Sequence, residues 1–228
     1  MPAIINMGSR KKKAPQTKVK TAQEIKNMKM AVEITGRVFS EMDNPFGRSE
    51  RDVAREISMR ARRLGASLSF RPIVASGRNS GFVHHKPGEK IVREGEPVIF
   101  DIGFNFRGQC SDVTRMHIPE SKKFRKFYRD MTDIQRLCIR RAVHGKSLKE
   151  INELFKKLMK RKGYAVKHGI GHGIGLHVHE RAKGQLKPGM VITIEPGVYE
   201  KGIGGCRVED MVLITGNKPI ILTKTIPS

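Results

Sequence analysis

Four acidic side chains and one imidazole stand inside segments that are otherwise apolar or rich in glycine and proline. Asp101 lies in Phe100-Asp101-Ile102-Gly103 and Asp112 precedes Val113-Thr114-Arg115. His172 lies in Gly171-His172-Gly173-Ile174-Gly175, Glu195 in Thr193-Ile194-Glu195-Pro196-Gly197, and Glu209 in Arg207-Val208-Glu209-Asp210. Such neighbours imply burial, and a buried carboxylate without a compensating partner is costly. Together the five look like one metal site, although each alone could be a surface or edge-strand acid or a structural histidine. Four carboxylates and an imidazole form a hard, oxygen-rich donor set, which suits two divalent cations held by shared carboxylates.

At 228 residues the chain can bury a full core as one domain. It has no apolar run long enough to span a bilayer, and the charges Arg10-Lys11-Lys12-Lys13 follow rather than precede the short apolar start, the wrong order for secretion. Cys110, Cys138 and Cys206 are odd in number and contain no CxxC pair, which points to free thiols in a reducing cytoplasm. The formal net charge of +23 is larger still at the surface, because the ligand set takes four of the 22 acidic residues. A field of that sign would draw polyanions such as rRNA or the ribosome, through Arg10–Lys13 and the basic stretch 122–162.

Residues 1–20 carry six basic and no acidic side chains, the composition of a disordered arm. From Thr21 the pattern changes. Thr21 with Glu24 makes a capping box, and apolar spacing predicts a helix over 21–42; a second runs from Ser49 to Leu64 and ends at Gly65. Strands are expected at 70–74, 98–104 and 116–118, helices at 122–143 and 147–162 with a capping box of Ser147 and Glu150, and strands at 190–196, 206–214 and 219–223. This order suggests an α+β fold, in which a helix pair followed by strands occurs twice. A hairpin would set Asp101 opposite Asp112. His179, seven residues after His172, would face away from it on an extended strand.

The order and spacing of these motifs resemble the metallopeptidases of the methionine aminopeptidase, prolidase and aminopeptidase P group. The resemblance runs from about Lys20 to the last strand. It implies the pita-bread (creatinase/aminopeptidase) fold, a curved, mostly antiparallel sheet covered by helices with a pseudo-twofold, and a catalytic domain over 21–228. It also implies two divalent ions, Mn²⁺ or Co²⁺ before Zn²⁺ or Fe²⁺. Asp101 and Glu195 would each serve mainly one ion, His172 one of the pair, and Asp112 and Glu209 both. Ala75-Ser76-Gly77-Arg78-Asn79-Ser80, Val83-His84-His85, Gly175-Leu176-His177-Val178-His179-Glu180 and Gly205-Cys206-Arg207-Val208-Glu209-Asp210 are similar to the Xaa-Pro branch. The His-Gly-Ile-Pro usual in methionine aminopeptidases is absent.

The activity so implied is release of an N-terminal residue from Xaa-Pro peptides by activated water. Glu195 would be general base, His84 and His179 would bind the carbonyl oxygen, and Arg207 would stand beside the metal centre. Methionine aminopeptidase is the alternative; a non-catalytic pita-bread module binding RNA or ribosomes is a second. Three departures from the group stand out. Only a basic stretch precedes the catalytic region, where prolidases carry a further domain. Arg181-Ala182-Lys183-Gly184-Gln185 is short and lacks the customary proline, which predicts a rebuilt, more basic pocket wall. Cys206 replaces a commoner aliphatic residue. Oligomeric state stays open.

Overall fold

A computed structural model describes residues 14–227. Helix α1 (Ala22–Glu41) begins with the expected capping box: the Thr21 hydroxyl accepts from the Glu24 N–H, and the Glu24 carboxylate accepts from the Thr21 N–H. Its buried residues Met28, Ala31, Val32, Thr35 and Val38 recur every three or four positions and form one stripe. Helix α2 (Glu50–Arg63) is capped by Ser49, which accepts from the Asp52 N–H.

Six strands follow: β1 (Ser67–Leu68), β2 (Ile73–Ser76), β3 (Val98–Ile102), β4 (Phe104–Phe106), β5 (Gln109–Cys110) and β6 (Val113–His117). The strand expected at 70–74 starts later because Pro72 has no N–H to give a ladder. Helices α3 (Lys122–Arg141) and α4 (Leu148–Arg161) come next, α4 with the Ser147–Glu150 capping box. The chain closes with β7 (Val191–Ile194), β8 (Gly197–Glu200), β9 (Gly204–Arg207), β10 (Asp210–Leu213) and β11 (Ile220–Ile221).

Every ladder between these strands is antiparallel. The orders are β2–β3–β6, β11–β10–β7, β8–β9 and β1–β4–β5. A helix pair followed by a three-stranded antiparallel ladder thus occurs twice, as expected. Val38, Val53, Ile57, Val74 and Phe100 pack α1 and α2 onto the first ladder, and Phe127, Met131, Phe155, Ile192 and Ile194 pack α3 and α4 onto the second. A third cluster, with Met28, Val113, Ile174, Val191 and Met211, joins α1 to both ladders. Each such side chain contributes roughly 1.5–3 kcal/mol by leaving water. The two ladders are thereby held side by side, with the ends of β3, β7 and β10 turned toward a common interior.

Two expectations need correction. The strand expected at 206–214 is split, because Val208 and Glu209 leave the ladder between β9 and β10. The disordered arm expected over 1–20 is not what residues 14–20 form; the rest of that expectation, residues 1–13, lies outside the described residues. From Ala14 the chain is docked. Thr17 N–H donates to Arg181 O at 3.0 Å, Arg181 N–H to Pro15 O at 2.7 Å, and Lys20 N–H to Gly189 O at 2.8 Å. The Lys20 ammonium lies 3.2 Å from Glu180 Oε2, with both side chains almost wholly buried. Sequence composition marks solvation, but a single buried ion pair outweighs it here, since either partner alone would be stranded. No described helix is long and apolar enough to cross a membrane.

Candidate metal centre

Asp101 sits on β3 directly opposite Thr114 on β6. Asp112 precedes Thr114 by two residues, so the pleat puts its side chain on the same face. The expected pairing of the two aspartates is therefore diagonal rather than direct. From the second half, Glu195 leaves the end of β7 with its N–H bonded to Ile170 O at 2.8 Å. Glu209 lies just before β10, and its Oε2 accepts from the Thr114 hydroxyl at 2.9 Å.

His172 is carried by the loop between α4 and β7. A Cβ at Gly171 would lie 2.0 Å from Thr193 O, and one at Gly173 would lie 2.6 Å from Thr17 Cβ. The glycine frame is thus what allows the loop to press against β7 on one side and the docked segment on the other. Thr193 N–H donates to His172 O at 2.8 Å, and His172 N–H to Thr193 Oγ1 at 3.1 Å. His172 Nδ1–H donates to Gly173 O at 3.1 Å, which leaves the Nε2 lone pair for the cavity. Nε2 lies 3.5 Å from both Asp112 Oδ2 and Glu195 Oε1.

All five candidate ligand residues, with His84, His179 and Arg207, line one cavity of about 210 Å³. Donor atoms of Asp112, His172 and Glu209 all lie within 4.8 Å of one another. His179 does not face away from His172: their ring centroids are 4.3 Å apart. The segment between them is a tight excursion closed by reciprocal bonds between Gly173 and Glu180, so strand alternation does not apply. The expected basic wall of residues 181–185 is absent from the lining; Arg181 pairs with the docked segment and Gln185 with Ser147.

A family profile described as Metallopeptidase family M24 matches residues 26–216. The chain belongs to family M24. It is 34% identical over 220 residues to an Xaa-Pro dipeptidase of Pyrococcus furiosus, covering 91% of this chain and 63% of that protein. A crystal structure of prolidase from Thermococcus sibiricus superposes with TM-score 0.85 at 37% identity, over 91% of this chain and 60% of the other. X-Pro aminopeptidase from Thermotoga maritima gives TM-score 0.85 at 32% identity, over 90% and 62%. The chain spans under two thirds of the length of each. These likenesses confirm the pita-bread M24 fold.

Arg207, which the resemblance sets beside the metal centre, ties into this M24 site residues that the sequence does not single out. Arg207 is 2% exposed, and its guanidinium donates to Asp101 Oδ2 (2.7 Å), Thr114 Oγ1 (3.1 Å), the Tyr199 hydroxyl (2.8 Å) and Val83 O (3.2 Å). The Tyr199 hydroxyl also bonds His168 Nε2 at 2.9 Å. Neither Thr114 nor Tyr199 stands out in the sequence: Thr114 is there only a neighbour of Asp112, and Tyr199 rides on β8, which Pro196-Gly197 disguises as a plain turn.

Electrostatics mark the M24 cavity as short of positive charge. Burial, then Glu209, Asp101 and Glu195, pushes the Asp112 carboxyl well above its usual range. Burial, then Glu195 and Asp101, does the same to Glu209. Burial raises Asp101 against the opposing pull of Arg207, and raises Glu195 to about 7. Burial lowers His172 to about 4 and lowers His179, so both imidazoles are neutral at pH 7. Arg207 is the only Lys or Arg among the described lining residues, and it faces four carboxylates. Asp101 Oδ1 is buried without a hydrogen-bond partner. Metallopeptidase membership implies divalent metal ions, and these residues fit them: a hard donor set, a neutral imidazole with its lone pair inward, and an orphaned carboxylate oxygen.

Proposed function

We propose that this chain carries the catalytic site of a dinuclear metal-dependent exopeptidase that hydrolyses the N-terminal bond of Xaa-Pro peptides. The observation that carries the proposal is the convergence of all five ligand-type residues and His84, His179 and Arg207 on one cavity. Asp101, Asp112, His172, Glu195 and Glu209 would hold two divalent ions, with Asp112 and Glu209 shared between them; Mn²⁺ or Co²⁺ suits the oxygen-rich set, with Zn²⁺ or Fe²⁺ as alternatives. Bound there, the ions supply Lewis-acid activation of water and of the scissile carbonyl. Glu195 takes the proton released from water and passes it to the leaving amine. His84 and His179 donate to the oxygen that gains charge. Arg207 fixes Asp101 through its fork of bonds and so positions a ligand. Phe70, Ile73 and Val83 give the cavity an apolar wall that suits a proline ring.

Relatives described as Xaa-Pro dipeptidase, prolidase and X-Pro aminopeptidase favour this branch over methionine aminopeptidase. The assay is turnover of Met-Ala, an Xaa-Pro dipeptide and an Xaa-Pro tripeptide side by side with Mn²⁺. Cleavage of the Xaa-Pro pair alone supports the proposal, and cleavage of Met-Ala alone moves the chain to the methionine branch. Three uncut peptides in a protein that loads metal favour the non-catalytic alternative.

A second proposal concerns partners and place. Lys122, Lys123, Arg125, Arg129, Lys156 and Lys157 are exposed on α3 and α4, which supports attraction to rRNA or the ribosome in the cytoplasm. The three free, buried thiols fit that reducing compartment. Co-sedimentation with ribosomes that falls as salt rises is the expected result; salt-independent or absent co-sedimentation removes the idea.

A further inference from the structure

A second, larger concavity adjoins the metal-site cavity. It has a volume of about 710 Å³, and it shares two wall residues with the smaller one, Ile73 and His84. It runs along α2. Its floor is apolar, with Ala54, Met59, Leu68 and Pro87 among the lining, and Met59 is half exposed. Five cations stand around it: Arg51, Arg55, Arg62, Arg71 and Lys86. No acidic side chain is among its described lining residues. Arg51 pairs with Glu89 and Arg55 with Asp52 outside the lining, whereas Arg62, Arg71 and Lys86 make no ion pair among the described residues.

The charges of this groove are the reverse of those in the cavity beside it. The cavity takes cations; the groove is built for carboxylates above an apolar bed. Size decides how the two are used. A cavity of about 210 Å³ accommodates an N-terminal residue and a proline ring and little more. In any longer peptide, the third and later residues must leave it. The continuous wall through Ile73 and His84 leads them into the groove.

We infer that the groove along α2 is an extended substrate site for the C-terminal side of peptides longer than a dipeptide, selecting apolar residues followed by acidic ones. This rests on the exopeptidase proposal for its direction, since the amine end is taken to lie at the carboxylates. An exposed ion pair contributes little singly, but two or three acting on one ligand are enough to set a preference of about fivefold to tenfold. The preference falls as salt rises, because both partners remain near water.

The test compares Ala-Pro, Ala-Pro-Leu-Glu-Glu and Ala-Pro-Leu-Lys-Lys with Mn²⁺, in the full chain and in the double variant R62E/R71E. The acid-tailed peptide should show kcat/KM about fivefold or more above the lysine-tailed one at low salt. The double variant should invert that order and leave Ala-Pro turnover unchanged, since neither arginine lines the metal-site cavity. Equal kcat/KM for the two tails, or a preference that survives charge reversal, overturns the inference. If no peptide is cut, Ala-Pro included, the exopeptidase proposal fails by itself. Fluorescence anisotropy of the two tailed peptides, labelled at the C-terminus, then decides the groove: tighter binding of the acidic one, lost in R62E/R71E, sustains an acidic-peptide site. Equal binding of the two overturns it, and so does an RNA oligonucleotide that displaces the acidic peptide and loses affinity in the same variant, because the groove is then a general polyanion surface.

Discussion

Glu50 and Glu209 are both buried glutamates, at 0% and 2% exposure, and the protein surrounds them in opposite ways. One Glu50 oxygen accepts from the Ser76 N–H (2.7 Å), the Ser76 hydroxyl (2.8 Å) and Asn79 Nδ2 (3.0 Å); the other accepts from His85 Nε2 (2.7 Å). Burial alone would raise its pKa, yet these donors bring it below the usual glutamate range. Glu209 receives one hydroxyl, from Thr114, and has acids for neighbours; burial, then Glu195 and Asp101, holds its carboxyl well above the ordinary value. A buried acid that the chain satisfies with its own donors is a structural pin, and Glu50 pins the loop that carries His84. A buried acid placed among other acids needs compensation from outside, which is the condition of a cation site.

The comparison is broken most directly by removing each charge. Glu209→Gln should lower Mn²⁺-dependent turnover on the order of a thousandfold, about 4 kcal/mol of barrier. In protein dialysed against chelator, the same change should raise Tm, since it relieves repulsion. Divalent metal stabilises the parent by mass action, about 2.7 kcal/mol at a hundred times Kd; in the variant that gain should shrink, with fewer ions retained on elemental analysis. A metal-free Glu209→Gln protein that melts lower would show that Glu209 is satisfied by the chain itself. Glu50→Ala should act with the other sign, costing about 3 kcal/mol with or without metal, because Ser76, Asn79 and His85 lose a shared acceptor. Denaturant midpoints measured in both conditions check this, and a metal-dependent loss would mean that Glu50 belongs to the site.

Arg207 lies between the two regimes: a protein donor that hydrogen-bonds one cavity acid and pulls on the other three only through space, too little to offset their burial. Arg207→Lys keeps a charge but cannot reproduce a fork that reaches Asp101, Thr114, Tyr199 and Val83 together. A loss of about 10–100-fold in kcat is expected, with metal content near the parent's, as for a residue that orients a ligand. An unchanged kcat would sharpen the comparison in favour of the external cations as the whole compensation.

The helices were the most legible part of the sequence because their ends are written locally: Thr21 with Glu24, Ser49, and Ser147 with Glu150 all cap as the spacing predicts. The candidate ligands were legible for a related reason, since an acid set in an apolar or glycine-framed segment is locally anomalous. What was hidden depended on partners far along the chain. Lys20 looks like the end of a solvated arm until Glu180 is seen beside it. His179 looks misdirected until the Gly173–Glu180 bridge folds the loop back. Tyr199 gains its role only when β8 pairs Gly197 with Arg207 across the hairpin. The groove along α2 mixes residues from 51 to 87, and no single stretch of them announces a concavity.

The smallest expected effect comes from a third kind of acid, Glu56, which is satisfied like Glu50 but nearer the surface. Burial raises its pKa, but bonds from Arg48, the Asp43 N–H and Arg60 outweigh that and lower it from 4.5 to about 2. Ionised Glu56 therefore favours the folded state. That contribution is complete above pH 4.5 and drains away as pH falls toward 2. The cavity acids have the reverse slope: Glu195, raised from 4.5 to about 7 in the fold, makes the metal-free protein lose stability as pH rises from 4.5 to about 7, Glu209 adds in the same direction, and bound metal should flatten that limb. In Glu56→Gln the acid limb of Tm against pH should be shallower than the parent's between 4.5 and 2, the two curves meeting near pH 2, while the neutral limb keeps its metal dependence. Parallel acid limbs would place the acid lability elsewhere, and a neutral limb indifferent to metal would remove the distinction between satisfied and uncompensated acids on which the candidate site depends.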